Sequence, residues 1–315
     1  MPRISLPLCL FAFLLTCLQT KSQDLFETLK KSENVVLLGD SITHAGKFSV
    51  YLDSWLLTHP DLPRPPRMLN LGLPSETVSG LSEEGHAGGK FPRPVLSERL
   101  ERVLEATRPN LVLACYGMNC GIYLPLDEGR FANYQKGILD LRKAVTARGA
   151  KLIHATPACY DDALGKKDFS YNDVLGHYSK WLVDQRSRGW MVVDLNTPMS
   201  RELQLQRTKD PKFTFQPDAV HPNEEGHWFI ARQWMIAFGD THAAQWQSPK
   251  DYLDARKLSP ETMALIEQRM KVLRDSYLAT AGHQRPGMPK GLPLQEALQQ
   301  ADQLTQQIQA KLSQR

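Results

Sequence analysis

Cysteine is scarce in this chain, with five in 315 residues. Cys9 and Cys17 fall in an apolar leader, which leaves Cys115, Cys120 and Cys159. So small and odd a number gives no disulfide framework, and at least one thiol must be free or paired between chains. Their spacing fits no zinc pattern, and no His/Cys/Asp cluster has ligand spacing, so neither a metal nor another cofactor is expected. Long apolar runs are also lacking. The one candidate, Leu6–Leu18, is too short for a comfortable bilayer crossing, so no stable membrane span is expected. Charge of one sign is not concentrated either. Lys+Arg number 38 against 34 Asp+Glu, a net +4 with no basic block, which argues against nucleic acid as a partner. No internal repeat is visible.

What is present is a globular composition, 42% hydrophobic and 23% charged. Arg3, the run Leu6–Leu18 and the polar stretch that follows read as a secretory leader over residues 1–22, with small Thr20 and Ser22 before a cleavage point. An uncleaved anchor is the other reading of this stretch. The expectation is a secreted or periplasmic protein with its main domain over residues 23–245 and a helical C-terminal extension over 246–315.

Across the main domain, short apolar runs alternate with longer stretches of helical spacing. Strands are expected at Val35–Leu38, Met68–Leu73, Leu111–Cys115, Leu152–Thr156 and Trp190–Leu195. Helices are expected at Phe48–Leu57, Leu96–Ala106, Arg130–Arg148, Val174–Arg188 and Asn223–Phe238. This order predicts an α/β fold with a central parallel sheet covered by helices. Ligands bind at the carboxyl ends of such strands, which directs attention to Asp40 and Ser41, Gly72 to Thr77, Gly117 to Asn119 and Pro157 to Tyr160. In the extension, Ser259–Tyr277 and Pro293–Leu312 read as helices around a Gly/Pro-rich loop. The apolar stripe Leu294, Leu298, Ala301, Leu304, Ile308 and Leu312 marks a helix packed back on the protein or, alternatively, an oligomerising surface.

Four segments can carry chemistry. Ser41 follows the first strand in Gly39-Asp40-Ser41, a turn that exposes a hydroxyl and aims backbone amides at a cleft, but a serine needs a base to act as a nucleophile. Asp218-Ala219-Val220-His221 places a carboxylate three residues before an imidazole, close enough in one turn to fix its tautomer. Asn119, in Tyr116-Gly117-Met118-Asn119 after the third strand, can donate to a developing oxyanion. Asn70 to Thr77, after the second strand, can supply a backbone N–H to the same charge. Each segment alone is commonly an ordinary turn; all four fall on the predicted ligand side of the sheet.

In that order and placement, the four segments resemble the blocks of the SGNH (GDSL-type) hydrolase superfamily, over roughly Val35 to Phe238. The resemblance implies a three-layer flavodoxin-like fold and metal-free ester hydrolysis, with Ser41 as nucleophile, His221 as base and Asp218 as the orienting acid. It also implies an oxyanion hole from the Ser41 and Ser75 amides and the Asn119 side chain. Ser75 stands where the family has glycine and can serve if its φ is negative; Gly72 is the alternative donor. Ile42 replaces the usual leucine of the first block, and Cys120 follows Asn119 where the family has aspartate. Gly72, Glu76, His86 in a glycine-rich loop, and Tyr123 are candidate substrate-binding residues. Tyr116, Tyr123 and Tyr160 could form an aromatic platform or simply pack in the core. The expected function is a secreted serine esterase acting through an acyl-enzyme, on a short acyl group of a carbohydrate. The alternatives are a lysophospholipase or lipase-like acylhydrolase, and a non-catalytic carbohydrate-binding relative. The expected partner is an ester, as a small molecule or an acylated carbohydrate.

Overall fold

Runs such as Val35-Val36-Leu37-Leu38 have no polar face to show to water, so they must be covered on both sides. In the computed structural model, which describes residues 25–314, five such runs pair into one all-parallel sheet of order β2-β1-β3-β4-β5. The strands are β1 (Asn34–Gly39), β2 (Arg67–Asn70), β3 (Leu111–Cys115), β4 (Lys151–Ala155) and β5 (Met191–Val193). Val35, Val36 and Leu38 are fully buried at the centre. The anticipated α/β architecture is therefore the observed one. The expected leader over residues 1–22 lies outside the described residues.

The register decides where chemistry can sit. Gly39 pairs with Cys115, Cys115 with Ala155, and Ala155 with Val193, so four strands end level. The chain leaves β1 toward β2 on one side and then returns across β1 to β3. That reversal opens a crevice beyond the carboxyl ends of β1 and β3. The helices that cover the sheet are α1 (Ser41–Ala45), α2 (Lys47–Thr58), α3 (Leu96–Thr107), α4 (Glu128–Ala147), α5 (Tyr171–Asp184), α6 (Asn196–Arg207) and α7 (Glu224–Ala237). α6 was not anticipated. Pro198 and a polar composition hide its helical period, and only Asn196, Met199 and Leu203 of it are buried.

The C-terminal stretch forms α8 (Pro249–Ala255), α9 (Pro260–Ala281) and α10 (Leu294–Leu312). Ser259 caps α9 through the Thr262 amide, with Pro260 in the first turn, as the sequence suggests. α9 packs against α2, α3 and the edge strand β2, and α10 packs along α9. Val50 of α2, Ile266 and Met270 of α9 and Ile308 of α10 share one apolar cluster. Leu273, Tyr277, Leu278 and Ala301 join the main core. The apolar stripe of α10 thus has a partner within the chain, and the exposed edge of the sheet is covered.

Candidate active site

Ser41 opens α1 immediately beyond β1. Asp40 caps that helix, its Oδ1 accepting the Ile42 N–H at 3.0 Å. Ser41 is the first helical residue, so its own N–H is an unpaired donor at a helix N-terminus. Glycine is required just before: a Cβ on Gly39 would strike Thr43 and the Cys115 carbonyl. Burial drives the Asp40 carboxyl up to about 6, against the pull of the Ile42 amide and the nearby His221.

His221 meets Ser41 from the turn just before α7, the helix that packs against α2. Its Nε2 lies 2.8 Å from Ser41 Oγ. Its Nδ1 lies 2.7 Å from Asp218 Oδ2. Asp218 Oδ1 accepts the Val220 and His221 amides at 3.0 and 2.7 Å, so one carboxylate shapes the turn and orients the ring. Burial works to raise the Asp218 pKa, but the hydrogen bonds from His221 and the two amides outweigh it and hold the carboxyl below its ordinary value. Ala219, at φ 74°, sits inside this turn, and its carbonyl is held by the Asp161 amide at 3.0 Å. Asn223 then caps α7 by accepting the Gly226 N–H at 2.9 Å. The His221 and Asp218 side chains are 51% and 58% exposed, so among the described residues no lid covers this end of the site.

Asn119 approaches from beyond β3 and is 3% exposed. Its Nδ2 donates to the Glu76 carbonyl at 3.2 Å and its Oδ1 accepts the Tyr123 hydroxyl at 3.0 Å. A backbone carbonyl can only accept, so this pairing fixes which way the amide faces and leaves one Nδ2 hydrogen to donate elsewhere.

The segment after β2 departs from the sequence reading at three residues. Ser75 has φ +68°, in the left-handed region, so the negative φ set as a condition for it is not met. Ser75 is the third residue of a β-turn, Leu73 to Glu76, closed by the Glu76 N–H on the Leu73 carbonyl at 3.1 Å, and its positive φ after Pro74 gives that turn the type II pattern. Among the described residues the Ser75 N–H has no acceptor. Gly72 is not open to substrate. Its N–H donates to Asn70 Oδ1 at 3.0 Å, its carbonyl faces His44 Nδ1 at 3.1 Å, and a Cβ there would strike the backbone of Thr43 and His44. Glu76 is no substrate contact either. It is fully buried, pairs with Arg99 Nε and Nη2 at 2.6 and 2.7 Å, and accepts the Tyr116 hydroxyl at 2.6 Å. Tyr116 is accordingly core.

His86 packs edge-on against Phe91 and lies 3.4 Å from Glu83. Its loop is tied to the site by a residue that sequence reasoning did not single out, Arg93. Arg93 grips Glu83 with two bonds of 2.6 Å, reaches the Ser75 carbonyl at 3.4 Å and lies over the Tyr123 ring. Tyr123 spends its hydroxyl on Asn119 and stacks on Tyr171. Arg99 was not singled out either; the signal that could have found it is its place at i+3 from Leu96 on the apolar face of α3, where a lone charge calls for a buried partner. Among the described residues the three cysteines are free thiols, Cys115 half-buried and Cys120 and Cys159 buried. Among the described residues no cluster of three or more His, Cys, Asp or Glu is arranged to hold a metal, and no helix is long and apolar enough to cross a membrane.

A serine hydroxyl bonded to an imidazole whose far nitrogen is bonded to a carboxylate can attack an acyl carbon while the ring takes the proton. A family match agrees with that chemistry. The GDSL-like lipase/acylhydrolase family matches residues 37–229, more than half of the chain. An acetylxylan esterase from Geobacillus stearothermophilus, solved as a catalytic mutant, shares the fold at TM-score 0.50 and 18% identity, over 66% of this chain and 94% of that one. A second mutant of the same esterase gives the same figures, TM-score 0.50 and 18% identity over 66% and 94%. A gut microbial diltiazem-metabolizing enzyme aligns at TM-score 0.49 and 22% identity over 66% of this chain, which spans 47% of that enzyme's length. No curated protein matches the chain. The chain belongs to the GDSL-like lipase/acylhydrolase family and is a carboxylic-ester hydrolase.

Proposed function

We propose that the chain cleaves a short acyl ester of a carbohydrate through an acyl-enzyme on Ser41. The observation that carries the mechanism is the line from Ser41 Oγ to His221 Nε2 to Asp218, at 2.8 and 2.7 Å. His221 takes the Ser41 proton as Oγ adds to the ester carbonyl. Asp218 keeps the remaining ring proton on Nδ1 and stabilises the imidazolium. The oxyanion is met by the Ser41 N–H at the start of α1, the Ser75 N–H and Asn119 Nδ2. The intermediate collapses as His221 returns the proton to the leaving alcohol, and water repeats the sequence on the acyl-enzyme.

The substrate reading rests on exposure. With His221 and Asp218 half open to solvent, the alcohol side of the site accommodates a bulky, hydrated leaving group. A secretory leader over residues 1–22 fits the same reading, since export would bring the enzyme to extracellular polysaccharide. Fluorophosphonate labelling and ester assays test the mechanism. Ser41→Ala should lose labelling and about 10⁴–10⁶ in kcat while melting like the parent. Substantial turnover in the folded variant would remove Ser41 from the chemistry. Acetylated xylo- and gluco-oligosaccharides, assayed beside acetyl, butyryl and octanoyl esters of one simple alcohol, test the substrate. A preference for octanoyl would overturn the short-acyl assignment.

A further inference from the structure

We propose that Arg285, from the C-terminal extension, is a positioning residue that sets the Ser75 amide for the oxyanion. The inference deepens the function proposed above and rests on it. Leu73 to Glu76 is a β-turn with Pro74 second and Ser75 third, and the positive φ of Ser75 gives it the type II pattern. Type I and type II turns share their closing hydrogen bond. They differ by rotation of the middle peptide, with ψ of the second residue at about −30° in one and about +120° in the other. Here the middle peptide is Pro74–Ser75. Turning it over would reverse the Ser75 N–H while leaving the Glu76-to-Leu73 bond in place.

Serine does not favour the turn it is in. The third position of a type II turn selects glycine, because a side chain is disfavoured at positive φ. Something outside the turn must therefore hold the peptide. Arg285 Nε donates to the Pro74 carbonyl at 3.0 Å. That carbonyl and the Ser75 N–H belong to one peptide unit and point in opposite directions. A guanidinium fixed on the oxygen therefore fixes the direction of the N–H, and polarises the group to donate more strongly.

Arg285 is itself braced. Its guanidinium lies over the Phe91 ring at 5.5 Å, and Nη1 donates to the Pro286 carbonyl at 2.9 Å. The next carbonyl of the turn, that of Ser75, faces Arg93 Nη1 at 3.4 Å. The turn is also tied into the site at both ends. The Leu73 N–H donates to the Gly39 carbonyl at 2.9 Å, two residues before Ser41, and the Glu76 carbonyl accepts Asn119 Nδ2 at 3.2 Å. Only the middle peptide is held from the C-terminal extension.

The test is kcat and KM on one soluble acetyl ester for Arg285→Ala, in the parent and in a Ser75→Gly background, with melting temperatures on the same samples. In the parent background, kcat should fall about tenfold with KM nearly unchanged, short of the roughly 10²–10³ for loss of a whole donor. In the Ser75→Gly background the same substitution should cost less than about threefold, because glycine accepts positive φ without help. A simple loss of packing would cost the same in both backgrounds, and that result would overturn the proposal. An unchanged kcat in Arg285→Ala, or a loss confined to KM, would overturn it as well. If Arg285→Ala melts early, Arg285→Lys carries the same comparison in a folded protein. Turnover by Ser41→Ala would sink the acyl-enzyme reading itself, whereas an inert Ser41→Ala beside a fully active Arg285→Ala sinks the Arg285 role alone.

Discussion

The two sides of Ser41 are built differently. On one side His221 and Asp218 stand half exposed, joined by one short turn in which a single carboxylate organises two amides and a ring. On the other, Asn119 and the Ser75 turn rest on a buried layer in which Glu76 pairs with Arg99 and Tyr116. The difference follows from what each side must do. Proton transfer needs a ring held in register, and three residues of local sequence are enough. Stabilising a developing charge needs donors that do not reorganise, and that rigidity comes from burial and long-range bonds.

The largest difference should appear on breaking the buried layer. Glu76→Ala leaves the Arg99 charge uncompensated, and losing one partner of a buried ion pair costs about 3–5 kcal/mol. Chemical denaturation should show that loss. Replacing both partners, as Glu76→Leu with Arg99→Met, should recover much of it. No matching loss of stability is expected from Asp218→Ala, whose side chain is mostly in solvent. Equal destabilisation by Glu76→Ala and Asp218→Ala would erase the contrast.

Next in size is Asn119. As the proposed side-chain donor to the oxyanion, its loss in Asn119→Ala should cost about 2.7–4 kcal/mol of transition-state stabilisation, roughly 10²–10³ in kcat. Asn119→Asp should be at least as damaging, because it also sets a carboxylate against the Glu76 carbonyl. Steady-state kinetics on one ester, with melting temperatures recorded, separates this from a residue that merely closes a loop. In that case stability would fall and kcat would hold.

Acid should act on the buried scaffold. Burial pushes His44 and His227 down to about 4 and His154 to about 3, from 6.5. Between those values the unfolded chain binds more protons than the folded one. Stability is therefore lost as pH falls from 6.5 toward 4, by about 1.4 kcal/mol per pH unit for each imidazole. Asp40 runs the other way. Its carboxyl is raised from 3.8 to about 6, so the folded chain keeps that proton longer and stability drops as pH rises through the interval. Three groups against one predict a net fall in melting temperature on acidification from pH 6.5 to 4. A flat or rising profile would contradict the burial of these rings.

The same division explains what could be read from the sequence. β1 was legible because four consecutive apolar residues end at a glycine, and β3 because Leu111–Cys115 has the same character. The Asp218–His221 pair was legible because its partners are three residues apart. Ser41 and Asn119 could be placed together once the strand ends were aligned. The buried layer was not legible as a unit: Glu76 meets Arg99 across 23 residues and Tyr116 across 40, and no local period joins them. The φ of Ser75 could not be read, because it is set by the turn and its surroundings and not by residue type. Gly72 was a candidate donor and substrate contact because what it meets, the backbone of Thr43 and His44, lies in another element. Arg285 carries no sequence signal for Pro74 at all.

The smallest effect is also the one that decides the role of Tyr123. Sequence reasoning placed it against substrate, whereas its hydroxyl donates to Asn119 Oδ1 and its ring stacks on Tyr171 with centroids 4.9 Å apart. Tyr123→Phe keeps the ring and removes only the hydroxyl. One hydrogen bond is worth about 0.5–1.5 kcal/mol net, and Asn119 keeps its bond to the Glu76 carbonyl, so the amide is loosened but not released. That predicts a kcat lower by about two- to tenfold, KM unchanged and little change in melting temperature. Tyr123→Leu also removes the aromatic face that Arg93 and Lys167 lie over, at 5.3 and 5.8 Å, and should destabilise the protein as well. A platform for the substrate would behave in the opposite way: Tyr123→Phe would be silent, and Tyr123→Leu would raise KM with kcat nearly intact. The comparison therefore turns on whether removing one oxygen atom moves kcat. If it does not, Tyr123 belongs with the substrate surface and Asn119 is held by Glu76 alone.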